Sequence, residues 1–334
     1  MTRARAGIAF SRGLAPSEIV DCTRLAESLG YESAWVAEGH TGDQFAILAA
    51  CAIATTRIRL GTAISSVFVR SAPTIAMAAA TVDELSGGRF ILGLGTSHRE
   101  QVEPEHGVLF DRPTARLRDT VAIVRGLLAE GAVSHRGETV TIERFDLWFP
   151  PLRPRLPIYV AALFPKMMEV TGEIADGVLL TWPTLEAPRH AAEHVARGAA
   201  RAGRPSEAID VASLVPCVVA ATRQDALAQM RPSVAFYGGY FPRYNRLLAA
   251  SGFPDVAAAI KADWDAGRRD AAVRRVPDEL IDTVAIAGTA AQCRQRLDRY
   301  RDAGLRLPIV SPRVTGRDAH RAAVDVIRAC APAS

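Results

Sequence analysis

Short runs of β-branched and aliphatic residues alternate along the chain with longer stretches whose apolar positions recur every three to four residues. This is the pattern of a parallel sheet covered by helices. Positions 6–10 read as a strand and 16–29 as a helix that stops at Gly30. Strand 33–37, helix 44–55, strand 59–63 and helix 73–85 follow. Ser86-Gly87-Gly88 breaks that helix, and strand 90–94 with helix 114–129 completes four βα units before residue 130. Residues 133–156 interrupt the rhythm. Alternation over 133–143 around Arg136-Gly137 predicts a small hairpin, after which Pro150, Pro151, Pro154 and Pro157 hold the chain extended. The rhythm returns with strand 158–161, helix 166–174, strand 177–180, helix 187–202, strand 211–219 and helix 225–231. Residues 232–282, with Tyr237-Gly238-Gly239-Tyr240-Phe241 and Trp264, read as a helical excursion over one mouth of the sheet. Helix 289–303, strand 307–310 and helix 318–331 close the chain.

Eight βα repeats predict a (β/α)8 TIM barrel, a single domain over residues 1–334 with insertions at about 133–156 and 232–282. In that fold the active site is built at the C-terminal ends of the strands. A doubly wound sheet is the other architecture compatible with the alternation, which does not count closure.

Composition narrows the partners. Of 334 residues, 49% are apolar and 23% charged, the balance of a globular protein rather than a disordered one. Lys and Arg exceed Asp and Glu by only four, with no basic arm, so nucleic acid is not an expected partner. The five cysteines, Cys22, Cys51, Cys217, Cys293 and Cys330, are far apart and form no C-x-x-C, which argues against a disulfide framework or a zinc site. No apolar run is long enough to cross a membrane and none opens the chain, so a cytoplasmic location without membrane contact is expected.

Polar chemistry gathers after the second predicted strand, at Glu38 and His40, and after the fourth, at Thr96, Ser97, His98 and Gln101. Gly93-x-Gly95 opens like a dinucleotide fingerprint, but the third glycine position is His98. The pair still lets backbone approach a flat or anionic ligand, or serves a tight turn. His190 and His194 stand four apart on a helix without the glutamate of a zinc protease, since residue 191 is Ala. The G-x-S-x-G elbow of the serine hydrolases is absent.

Four stretches carry a family resemblance. Trp35-Val36-Ala37-Glu38-Gly39-His40, Arg57-Ile58-Arg59-Leu60-Gly61-Thr62-Ala63-Ile64, the run from Ala79 and Thr81-Val82-Asp83-Glu84-Leu85 through Gly93-Leu94-Gly95, and Pro157-Ile158-Tyr159-Val160-Ala161-Ala162 with Ala175-Asp176-Gly177 resemble the luciferase-like oxidoreductases. The branch using the deazaflavin coenzyme F420, with the methylenetetrahydromethanopterin reductases, is the most similar. The resemblance implies F420, with FMN as the alternative, held at the strand C-termini, and hydride exchange with an unsaturated or carbonyl-containing small molecule. An FMN-dependent monooxygenase, or a coenzyme-binding protein that has lost catalysis, are the other readings. It further implies a non-proline cis peptide behind the coenzyme ring, matched here by Ala63–Ile64, and a homodimer paired through the second and third helices, over residues 45–53 and 75–82.

Carried over position by position, the resemblance makes His40, His98 and Glu38 the catalytic candidates. Coenzyme contacts fall on Phe10, Glu38, Ala63, Ile64, Ser65, Ser66, Thr96, Ser97 and Gln101, and on the loop Ala162, Leu163, Phe164, Lys166 and Met167, where the family's phosphate-binding glycines are missing. Trp182, Tyr237, Tyr240, Phe241 and Trp264 are the expected aromatic walls of the substrate pocket.

Overall fold

The computed structural model describes residues 4–332. Strand β1 (Gly7–Phe10) leads to α1 (Pro16–Ser28), β2 (Ser33–Val36) to α2 (Gln44–Ala54), and β3 (Arg59–Thr62) through the two-residue β4 (Ser65–Ser66) to α3 (Ala72–Leu85). β5 (Phe90–Gly95) is followed by a short α4 (Arg99–His106) and then α5 (Pro113–Glu130). The antiparallel pair β6 (Ala132–Arg136) and β7 (Thr141–Asp146) stands outside the main sheet. β8 (Ile158–Ala161), α6 (Pro165–Ile174), β9 (Gly177–Thr181), α7 (Ala187–Arg201) and β10 (Asp210–Val219) resume the alternation. Five consecutive helices follow: α8 (Arg223–Tyr240), α9 (Pro242–Ala250), α10 (Pro254–Asp265), α11 (Arg269–Arg274) and α12 (Asp278–Val284). β11 (Ile286–Gly288), α13 (Ala290–Asp302), β12 (Leu307–Pro312) and α14 (Ala319–Ala329) end the chain.

The sheet closes. β1, β2, β3, β5, β8, β9, β10 and β12 pair in parallel around a ring that β12 completes onto β1, which excludes the open doubly wound sheet. Strand alternation sorts the side chains into two compartments. Ala9, Trp35, Ile91, Tyr159, Leu179, Ala212, Leu307 and Ile309 fill the barrel interior, while Ile8, Phe10, Ala34 and Val36 face the helices. Trp35 and Tyr159, ring centroids 5.6 Å apart, plug the middle. The indole fits only because Gly61 lies beside it: a Cβ there would come within 2.3 Å of Trp35 Cε3.

The β6–β7 hairpin occupies residues 132–146 and the helical run α8–α12 residues 223–284. α8 does not stop before Pro232 but runs through it to Tyr240. Proline withholds one N–H, and the carbonyl it strands belongs to Ala228, an exposed residue where water can serve it. The helices α8 to α12 share a separate core with Trp182 and Val218, so the excursion caps the barrel as a packed unit. The β6–β7 hairpin is moored by Asp119 on α5, whose carboxylate accepts the amides of Glu138, Thr139 and Val140 and the Thr139 hydroxyl. On α2 and α3, Phe45, Ile47, Leu48, Ile75 and Val82 are buried, whereas Ile53 and Met77 are exposed. No helix among the described residues is long and apolar enough to cross a membrane.

Candidate active site

The loops following β2, β3, β5, β8 and β9, roofed by α8 and α9, enclose a cleft of about 930 Å³ at the C-terminal mouth of the barrel. Its floor is the turn after β3, where the Ala63–Ile64 peptide is cis, as the resemblance implies. The Gly93-x-Gly95 pair turns out to serve this floor rather than a ligand's phosphate. A Cβ on Gly93 would sit 1.9 Å from the Thr62 carbonyl oxygen, and one on Gly95 would sit 2.6 Å from both Cδ1 and Cγ1 of Ile64. The Thr62 hydroxyl donates to the Gly93 carbonyl at 2.7 Å and accepts the Gly93 amide at 2.8 Å, locking the two strands together. Ile64 is thereby set on glycine backbone and presented to the cleft as an apolar shelf.

The acid–base candidates fare differently. Glu38 lines the cleft, but one carboxylate oxygen accepts the Ser66 amide at 2.6 Å and the other accepts Arg70 Nε, which also reaches Asp43 through its Nη2. His40 lies at the rim with its side chain 78% exposed, and its Nε2 meets Glu105 at 3.1 Å. His98 is packed 4.4 Å from the Phe241 ring and 5.2 Å from Tyr244, and its Nδ1 is buried without a partner. Burial, and then the charge of Arg243, lower its pKa from 6.5 to about 4. The neutral imidazole is thereby favoured over the imidazolium at neutral pH.

Ala63, Ile64, Thr96, Ser97, Gln101, Ala162, Leu163, Phe164, Lys166, Met167, Tyr237, Tyr240 and Phe241 all line the cleft. Five expected contacts do not. Phe10 points outward into the helix layer because its position in β1 has the opposite parity to Ala9. Ser65 and Ser66 are buried beneath the floor; Ser66 Oγ accepts the Phe68 amide, and Ser65 Oγ has no partner. Trp182 is 2% exposed and lies under Tyr237, ring centroids 5.1 Å apart. Trp264 packs on Gly239 and Phe236 at the back of α8 and stacks with Arg269.

Sequence reasoning missed Ser11, Arg12, Thr181, Phe236, Arg243, Tyr244 and Arg246, all on the cleft wall. Tyr244 comes from α9, beyond the break at Phe241, so the spacing of α8 does not lead to it. The arginines matter for charge. Arg12, Lys166, Arg243 and Arg246 face the cleft against only Glu38 and Glu105, both of which already have cationic or imidazole partners. Arg246 lies 3.6 Å over the ring of Phe164, the residue that caps α6, and Arg243 Nη1 is 3.5 Å from the Thr96 hydroxyl. With the first turn of α6 they make one end of the cleft electropositive.

The sequence model of the family described as luciferase-like monooxygenase matches residues 1–307. The chain belongs to the luciferase-like monooxygenase family. Among its relatives, a Mycobacterium tuberculosis protein provisionally named a coenzyme F420-dependent oxidoreductase is 30% identical over 89% of this chain and 91% of its own. The solved F420-dependent tetrahydromethanopterin reductase of Methanopyrus kandleri superposes with a TM-score of 0.85 at 24% identity, covering 98% and 97% of the two chains. A type II Baeyer–Villiger monooxygenase of Pseudomonas putida, solved with FMN, shares the fold at a TM-score of 0.69 and 14% identity over 98% of each chain.

A flavin-type coenzyme fits the cleft of this luciferase-like protein. The fit rests on the apolar Ile64 shelf for a planar ring, the unpartnered buried Nδ1 of His98 beside Thr96 and Ser97, and the cationic end for a phosphate. Lys166 and Arg243 would hold that phosphate, and Ile64 would back the ring.

Proposed function

We propose that the protein is a coenzyme F420-dependent oxidoreductase exchanging a hydride with an unsaturated or carbonyl-containing small molecule. The observation that carries this is the pairing, in one cleft, of a glycine-seated apolar shelf with a surplus of cations at one end. The 30% identity to the mycobacterial relative supports F420 over FMN.

When bound, such a coenzyme would supply two electrons and a proton together, as one hydride. The protein's part is positional and electrostatic. Ile64 would back the ring as an apolar support. Arg243 and Lys166 would offset the negative charge of a phosphate bound there. Phe236, Tyr240 and Phe241 roof the cleft and displace water; Phe236 and Tyr240 stack nearly parallel, and the Tyr240 hydroxyl donates to the Glu100 carbonyl at 3.0 Å, tying α8 to α4. Glu38 holds Arg70 and the floor turn in place.

Incubating the purified protein with reduced F420 and a panel of enones and ketones, and following the return of oxidised F420 absorbance, tests the reading. Turnover with a subset of the panel is the expected result. Binding with no turnover across the panel favours a coenzyme-binding protein, and flavin-dependent oxygen uptake favours an FMN monooxygenase.

A further inference from the structure

One corner of the cleft holds a guanidinium that lacks a carboxylate partner among the described residues. Arg313 follows β12 at the barrel mouth, and its guanidinium is held between the rings of Trp182 and Tyr237, at 5.1 and 5.2 Å from their centroids. Its Nη1 makes only two long contacts, each of 3.4 Å, to Ser11 Oγ and Tyr237 Oη, and its buried Nε has no partner. Arg89, also partly buried, shows what a satisfied guanidinium in this chain looks like: it donates to the carbonyls of Ala52, Thr55, Ile58 and Ser86. Among the described residues no carboxylate pairs with Arg313. The two acids on the cleft wall are Glu38 and Glu105, and both are engaged elsewhere.

Ser11 and Tyr237 do line the cleft, so the cation stands one layer behind two hydroxyls. Each hydroxyl oxygen accepts from the guanidinium, which leaves its own proton free to point outward. Such a pair, polarised by an uncompensated positive charge, is complementary to an anion and a poor match for a second donor.

We propose that this corner binds a carboxylate of the substrate, so that the molecule reacting in the cleft is a small organic acid. Ser11 and Tyr237 donate to the carboxylate oxygens, and Arg313 is the positioning residue that supplies the charge. The proposal rests on the function above for the word substrate; the carboxylate site itself does not depend on the coenzyme.

The test is calorimetric titration of the full chain with benzoate and with benzamide, planar probes of nearly equal size that differ in charge, with and without F420. The wild type should bind benzoate about tenfold or more tighter than benzamide. Tyr237→Phe and Ser11→Ala should each weaken benzoate severalfold and leave benzamide unchanged. Arg313→Met should erase the discrimination, and Arg313→Lys, which keeps the charge, should retain part of it. Should the Met variant fail to fold, the Lys and Phe variants decide the matter. Equal affinity for the two probes in the wild type, or discrimination that survives both Tyr237→Phe and Arg313→Met, overturns the proposal. Failure of F420 to bind while discrimination persists would sink the proposed coenzyme and leave the carboxylate site standing.

Discussion

His98 offers a stability test of how the roofed corner is built. The folded chain holds its pKa near 4 against 6.5 in a solvated imidazole, through burial and then the charge of Arg243. Between those values the unfolded chain takes up a proton that the folded chain refuses, so stability rises with pH across the window. The penalty is absent above about pH 6.5 and complete below about pH 4; at about 1.4 kcal/mol per unit of displacement it amounts to roughly 3 kcal/mol. His98→Leu removes the titration while keeping an apolar group among Phe241 and Tyr244, and costs no hydrogen bond at the unpartnered Nδ1. Urea denaturation of both proteins should show the wild type losing about 2 to 3 kcal/mol more than the variant between about pH 7.5 and 4.5. Parallel stability profiles over that range would refute the account of a buried, neutral imidazole.

Two further perturbations probe the floor and the hairpin. Gly95→Ala drives a Cβ to 2.6 Å from Ile64, so the shelf must move; a loss of about 1–3 kcal/mol in denaturant stability is expected, together with weaker binding of a planar coenzyme. Asp119→Ala unmoors the β6–β7 turn, whose amides at 138, 139 and 140 it accepts. Limited proteolysis should then cut within residues 136–141 faster than in the wild type, while melting of the rest of the barrel shifts little.

How far the sequence could be read depended on the kind of signal involved. Alternating βα periods are a long-range pattern, and they located the eight barrel strands because buried parallel strands and amphipathic helices have different periods. α4 escaped because Arg99–His106 is mostly charged and contains Pro104, so it has no apolar stripe; among its residues only Val102 is buried. β11, three residues long, is too short for any period. Helix α8 was cut at Pro232 because a proline in sequence does not reveal whether the carbonyl it frees can reach water. At the site, loop positions next to strand ends were legible, but side-chain direction was not. Phe10 failed by one residue of strand parity, and Ser65 and Ser66 fell beneath the floor. The cations of α9 were invisible for a different reason: Arg243 and Arg246 acquire their meaning only when α9 folds over a mouth built from much earlier parts of the chain.

The role of the Ile64 shelf and the cationic end can be measured most directly by titrating the purified protein with F420 and with FMN under identical conditions, by calorimetry. The account predicts saturable binding of F420 at one site per chain, with FMN weaker by about tenfold or more, and F420 affinity reduced in Arg243→Ala. Tighter binding of FMN, or no binding of either coenzyme to correctly folded protein, would contradict it.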